Sequence, residues 1–323
     1  MSATRVAVIG AGRIAQEHLK VLTARDDCRV ALLCDPDTAR RSTAAAAFDV
    51  PVGVDSVAEV LRRDDLDAVY VLVSVPAVAN VAELFLRAGL PTFVEKPPGL
   101  YSADTARLAE TAARSGAINM VGVNRRFYAT HLAARASLLE LGGVRSLTVE
   151  AHEDLARVSR TKFPAEVLRR WALANGIHAL DLLRFFGGEA RVIHSVRQSV
   201  ENPWPDSIAA LLEFESGAQG RVLLDWFGPG GHRFEARGVG CQAVSTAGFG
   251  RVTWQQRGMP ATELEPDTDD LRFKPGFWKQ AGAFLGAVRS GQSPPVPAAT
   301  LADACRTMQL VEQICGLPSD RYP

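Results

Sequence analysis

Val6-Ala-Val-Ile9-Gly10-Ala-Gly12-Arg-Ile-Ala15 decides the fold. Four apolar residues read as a short strand, and the G-x-G-x-x-A pattern behind them opens a stretch with helical spacing, Ile14, Leu19 and Leu22 among polar residues. Gly10 permits the tight turn. Gly12 has no side chain, so a diphosphate can approach the backbone. Ala15 lets the helix lie close to the sheet. A helix N-terminus with unpaired N–H groups then faces the phosphates. The next apolar run, 30–34, ends in Asp35. An acid there accepts hydrogen bonds from the adenosine ribose and repels a 2′-phosphate, which favours NAD(H). Arg40 and Arg41 keep NADP(H) open, since either would serve a 2′-phosphate if folded back; a solvated helix face is their plainer reading.

Outward from this stretch, short apolar runs at 68–73, 92–94 and 119–123 alternate with helical patterns at 56–63, 77–88 and 102–115. Strand–helix alternation with nearly all-apolar strands predicts a parallel sheet covered on both faces, a Rossmann domain over residues 1–124. Beyond it the pattern changes. Runs at 144–152, 191–200, 207–214, 219–226, 232–237, 242–245 and 251–254 succeed one another with few helices between them. They predict an open, mainly antiparallel sheet flanked by helices at 175–186, 277–289 and 301–314, in a second domain over 125–323. The overall class is α/β followed by α+β.

The chain has 323 residues, ample for two domains, and Lys plus Arg equal Asp plus Glu at 36 each. No global field draws it to nucleic acid or an anionic membrane. No apolar run approaches the roughly 20 residues of a membrane span. The N-terminus enters a strand directly, without a signal peptide's apolar region. Five scattered cysteines form no C-x-x-C pair, so free thiols in a reducing cytoplasm are expected, with no metal site. The partner is a small molecule. An open sheet with one uncovered face predicts a homodimer or homotetramer built through that sheet.

Phe93-Val-Glu95-Lys96-Pro97-Pro98 ends the fifth strand, where ligands sit in this architecture. With the glycine motif it resembles the glucose–fructose oxidoreductase, inositol dehydrogenase and MocA (Gfo/Idh/MocA) family. Val121-Gly-Val-Asn124-Arg125-Arg126-Phe127, Gly142-Gly-Val-Arg145 and Asn175-Gly176-Ile177-His178-Ala-Leu-Asp181 resemble later segments of that family, so the likeness spans nearly the whole chain. It implies an NAD(P)-dependent dehydrogenase or reductase that moves hydride to or from a sugar, cyclitol or related compound. Lys96 is then expected to hydrogen-bond the reacting oxygen, and His178 to take or give the proton. Hydride leaves carbon only as the hydroxyl proton departs, so a base tuned near neutral pH and a cation beside the oxygen suit the chemistry. Cofactor contacts are expected at Gly10, Gly12, Arg13, Ile14, Ala15 and Asp35, then at Ser74, Pro76, Glu95, Lys96, Asn124 and Arg126. Substrate contacts are expected at Lys96, Asn175 and His178.

The likeness has gaps. The family's catalytic helix usually carries an Asp four residues before the His, and Ala174 stands there. Asn175 offers a hydrogen-bonding group, but in an α-helix it is turned about 100° from Ala174. Arg157, Lys162, Arg169 and Arg170 lie near this altered region and would suit an anionic substrate if they lined a pocket. Two alternatives therefore stay open: a non-catalytic dinucleotide-binding sensor of the same fold, and a divergent imine or tetrapyrrole reductase.

Overall fold

The computed structural model describes residues 3–158, 163–246 and 249–321. The chain forms two compact units. The first comprises Met1–Phe127 and Thr268–Cys305, the second Tyr128–Asp267 and Arg306–Pro323. Sequence patterning put the whole of 125–323 in one domain. By compactness, the stretch Thr268–Cys305 returns to the first unit.

Six strands build the first unit: β1 (Thr4–Ile9), β2 (Cys28–Cys34), β3 (Gly53–Val54), β4 (Ala68–Val71), β5 (Thr92–Val94) and β6 (Asn119–Val121). Their order is β3-β2-β1-β4-β5-β6, and every neighbouring pair is parallel. The crossovers run through α1 (Arg13–Thr23), α2 (Thr38–Ala47), α3 (Val57–Leu61), α4 (Val75–Arg87) and α5 (Ser102–Ser115). The order reverses between β1 and β4, so the crevice at their carboxyl ends is the expected ligand position. Alternate residues of each strand feed two cores, one on each face. Ala7, Ile9, Val69 and Val71 enter one with Phe85 and Leu108. Val6, Val8, Tyr70 and Phe93 enter the other.

Helices α9 (Thr268–Arg272) and α10 (Phe277–Ser290) explain the return of the later segment. Phe277, Ala281, Phe284 and Leu285 of α10 fill the second of those cores, and the Phe284 ring meets Tyr70 and Phe93 edge-on. An apolar helix face shows in sequence; which core it fills does not.

In the second unit α6 (Ala129–Glu140) precedes β7 (Ser146–His152), and α7 (Ala165–Arg169) leads to α8 (Ile177–Gly187). Seven strands follow: β8 (Ala190–Gln198), β9 (Ser207–Phe214), β10 (Gln219–Asp225), β11 (His232–Gly238), β12 (Cys241–Thr246), β13 (Arg251–Gln256) and β14 (Thr262–Leu264). The eight-stranded order is β14-β13-β12-β11-β7-β10-β9-β8. All pairs are antiparallel except the interior β7–β10 pair. Along β9 and β10 the strict alternation of buried and exposed residues marks a sheet covered on one face. The closing helix α11 (Leu301–Cys315) gives its first residues to the first unit and the remainder to the second.

Arg170, just ahead of the helical segment that carries His178, is not a pocket residue. Its Nη2 meets Glu312 Oε1 of α11 at 2.6 Å, and both side chains are 4% exposed. Removing one partner of a buried pair strands the other charge. Glu312→Ala should therefore cost about 3–5 kcal/mol in urea unfolding, and Arg170→Met combined with Glu312→Leu should recover most of it. A cost below about 1 kcal/mol for the single change would show that the pair does not anchor the segment.

Candidate active site

In the first unit the two motif glycines do different work. Gly10 sits at φ +100°, and a Cβ there would stand 2.7 Å from the Leu72 carbonyl oxygen. The turn itself therefore requires glycine. Gly12 is the N-cap of α1, with ordinary backbone angles and no side-chain cap. A Cβ on Gly12 would meet nothing within 4 Å. Folding does not need that glycine; close approach of a phosphate to the helix N-terminus does. Ala15 is fully buried, and Ile14 packs at the core's edge. Arg13 is the first residue of α1.

Asp35 lies deeper than expected. It is buried; Oδ2 accepts the Ala11 N–H at 2.8 Å and Oδ1 the Asp37 N–H at 2.9 Å. Its carboxylate thus locks the glycine loop to the end of β2. The more exposed acid is Asp37, which caps α2 through the Arg40 N–H and pairs with the Arg40 guanidinium at 2.9 Å. Hydrogen bonds from the Arg40 backbone and side chain hold the Asp37 carboxyl below its ordinary range. Sequence reasoning missed Asp37, although an acid just ahead of a helical stretch is a capping signal. Arg40 and Arg41 do not simply line a solvated face: Arg40 comes within 3.7 Å of Asp35 Oδ2, and Arg41 donates to the Asp35 carbonyl.

Within 92–100 every residue is buried except Lys96, which is partly exposed. The strand end therefore presents one cation from an otherwise sealed segment. Beneath it Glu95 is buried, and its Oε2 meets His18 Nε2 of α1 at 3.2 Å. His18 is itself enclosed by the rings of Tyr70, Phe93 and Phe277. A Cβ on Gly122 would stand 2.7 Å from Glu95 Oε2, so the residue just past β6 must be glycine. The His18 contact ties the glycine-loop helix to the Lys96 strand. It was invisible in the sequence because the two residues lie 77 positions apart. Lys274, from the returning segment, joins the same neighbourhood. Burial pushes its ammonium below its ordinary range; Glu95 and Glu17 oppose that shift, while Arg13 and Arg125 add to it.

Ser74 is the N-cap of α4, and Pro76 lies in its first turn, just beyond the carboxyl end of β4. Two expected cofactor contacts have inward partners instead. Asn124 donates to the Pro275 carbonyl at 3.0 Å. Buried Arg126 pairs with Asp303 at 2.8 Å and donates to the Pro297 carbonyl. Both groups hold the returning segment to the end of β6.

In the second unit the residues before His178 form a π turn, Ala172–Gly176, that runs directly into α8. Between 171 and 186 only Asn175 and His178 are partly exposed; Ala174 is buried. Ala174 and Asn175 thus face different ways, and Asn175, three residues before His178, shares its open stripe.

Glu153, one residue past β7, gathers three donors. Oε1 meets His232 Nε2 at 2.6 Å, Oε2 accepts Trp171 Nε1 at 3.0 Å, and Asn175 Nδ2 lies 2.9 Å from both oxygens. Burial works to raise its carboxyl, but His232, Asn175 and Trp171 outweigh it and hold the group below its ordinary range. Sequence reading passed over Glu153, which carries no motif. The described basic residues of this region have separate surroundings: Arg157 is largely exposed and paired with Asp154, Arg169 lies over the Trp204 ring, and Arg170 is buried. Lys162 lies outside the described residues.

Comparison with known proteins follows the same division. The oxidoreductase-family model for an NAD-binding Rossmann fold, Gfo/Idh/MocA, matches residues 4–123, and that family's C-terminal domain model matches residues 139–243. The chain is 32% identical over 231 residues to inositol 2-dehydrogenase 1 of Paenarthrobacter aurescens, which covers 68% of the chain; the chain spans 65% of that relative's length. Among solved structures it resembles an oxidoreductase from Agrobacterium radiobacter in complex with NAD+, L-tartaric acid and magnesium. The TM-score is 0.81 at 19% identity, covering 96% of this chain and 94% of that one. It also resembles a 3-ketoreductase from Actinomadura kijaniata in complex with NADP and TDP-benzene, with a TM-score of 0.77 at 23% identity, covering 97% of each chain. Those two likenesses carry the fold. The paired domain matches carry the membership: the chain belongs to the Gfo/Idh/MocA oxidoreductase family.

Proposed function

We propose that the chain is an NAD(P)-dependent oxidoreductase that moves hydride between nicotinamide and a carbon of a sugar, a cyclitol or a related alcohol or carbonyl compound. The observation that carries this reading is Lys96, the one partly exposed residue of a sealed strand end, braced through Glu95 by the helix that the glycine loop opens. A sensor would need the glycine loop alone. A braced cation at the ligand end of the sheet adds a group suited to a reacting oxygen.

The residues fit a dinucleotide. Gly12 leaves room at a helix N-terminus that has no side-chain cap, and Arg13, Arg125 and Lys274 supply positive charge near it. NAD(H) is the favoured form, because the Asp37 carboxylate stands at the end of β2 where a 2′-phosphate would be repelled. Arg40, already beside both Asp35 and Asp37, is the residue through which NADP(H) would be accommodated. Bound nicotinamide supplies the hydride acceptor or donor. Lys96 stabilises negative charge developing on the substrate oxygen, and His178 takes the hydroxyl proton in oxidation or returns it in reduction.

The uncovered sheet face bears Val196, Leu211 and Leu223, each more than 40% exposed. A homodimer or homotetramer through β8, β9 and β10 would cover them. All five cysteines are buried thiols, and burial pushes those of Cys28 and Cys34 up to about 12 and about 11, which suits a reducing cytoplasm. Light scattering at micromolar concentration should give a multiple of the 34.7 kDa chain.

Cofactor and catalysis are tested separately. Gly12→Ala should leave the melting temperature of the free protein unchanged while removing the rise caused by NAD. Calorimetry should show NAD binding tighter than NADP in the parent, and Arg40→Ala should widen the gap; tighter NADP binding would overturn the role given to Asp37. Lys96→Met and His178→Ala should each lower turnover by about two orders of magnitude while NAD affinity changes little. The assay is NADH formation or consumption across polyols, keto-sugars and imines. No turnover on any of them would favour the sensor; near-parent rates in both variants would refute the catalytic roles.

A further inference from the structure

The stripe ahead of His178 holds no carboxylate of its own, yet a carboxylate is present from another direction. Glu153 reaches Asn175 from the end of β7, with both oxygens 2.9 Å from Nδ2. An amide has two ends, and a carboxylate only accepts. The Asn175 NH2 is therefore fixed toward Glu153, and Oδ1 points away from it. Asn175 is partly exposed, and its Oδ1 has no hydrogen-bond donor among the described residues. Trp171 Nε1, at the start of the same turn, and His232 Nε2 of β11 also hold Glu153 in place, and the His232 side chain is 8% exposed.

We infer that Glu153 is a positioning residue that sets Asn175 as a neutral hydrogen-bond acceptor beside His178, so that Asn175 Oδ1 receives the hydrogen bond of a substrate hydroxyl. The burial pattern makes this workable, since position 174 is buried and position 175 is open. The acceptor stands three residues before the His, is uncharged and is oriented by a carboxylate from the end of β7. The ligand class is a polyhydroxylated compound with a hydroxyl next to the reacting carbon. This role rests on the oxidoreductase reading above.

The test exchanges the two functional groups. In Glu153→Gln the Trp171 N–H keeps the amide oxygen on its side and the NH2 takes the Oε1 side, so the Asn175 amide is no longer fixed in one orientation. In Asn175→Asp two carboxylates face each other. In Glu153→Gln/Asn175→Asp the Gln oxygen stays on Trp171, its NH2 donates to the new carboxylate while His232 Nε2 becomes an acceptor, and the other Asp oxygen restores the acceptor toward substrate. With the best polyol from the substrate panel and saturating NAD, each single variant should lose about 30-fold in kcat/KM, chiefly through KM, and the double variant should return to within about fivefold of the parent. NAD affinity should be unchanged throughout. Melting temperatures should show the same reversal, with the double variant several degrees above Asn175→Asp. A merely structural Glu153 would give additive losses, lower kcat through less folded protein and leave KM alone. With an active parent, a Glu153→Gln variant within twofold of it, or a double variant no better than the worse single one, overturns this inference and leaves the oxidoreductase reading standing. A parent inert on every substrate overturns both.

Discussion

The contact between His18 and Glu95 sets the rest of the first unit. A buried carboxylate without a hydrogen-bond donor is costly, so Glu95 can occupy the end of β5 only because α1 delivers a ring nitrogen to it. That requirement fixes the packing around it. Tyr70, Phe93 and Phe277 enclose the His18 ring from β4, from β5 and from α10, and Gly122 leaves room for the carboxylate. The returning segment is therefore part of the nucleotide-binding core, and Lys274 arrives beside Glu95 as a consequence. Lys96 inherits its placement from this arrangement: the residue below it is pinned, its neighbours are sealed, and it alone of 92–100 stays partly exposed.

Local rules made the first sheet legible. Apolar runs between helical patterns located β5 to the residue and β1, β2, β4 and β6 within a few positions, since strands buried on both faces carry almost no polar residues; the two-residue β3 was missed. Helix α6 escaped because its buried residues, Thr130, His131, Ala134 and Leu138, include two polar side chains and a small one, which leaves a weak apolar stripe. The returning segment escaped for a different reason. Phe277, Ala281, Phe284 and Leu285 announce an apolar helix face, but no residue among them says which sheet that face will cover. The parallel β7–β10 pair was equally hidden, because alternation reports burial and is silent about strand direction.

At the site, motif-borne residues were legible and responsive ones were not. Gly10, Gly12, Lys96 and His178 belong to patterns whose spacing carries chemistry. His18, Asp37, Lys274 and Glu153 are defined by what they meet in space. Asn124 and Arg126 illustrate the converse. They lie in a recognisable segment, yet their polar groups turn inward to the carbonyls of Pro275 and Pro297 and the carboxylate of Asp303. A polar side chain buried at a domain's edge bonds to the nearest backbone unless a ligand competes.

The segment ahead of His178 shows how a site can depart from a family pattern without losing its logic. Residues three apart share a helix face as residues four apart do, so 175 can stand on the stripe of His178. Here 175 is open and 174 is buried, and alanine suits the buried position: small, apolar and 6% exposed. A carboxylate at 174 would be buried among Leu173, Ile177 and their neighbours, at the cost of an unpaired charge. Moving the polar group to 175 and its charge to Glu153 avoids that cost, because the carboxylate then meets three donors and remains ionised. The alanine that looks like a lost catalytic residue is, in this geometry, what a buried position demands.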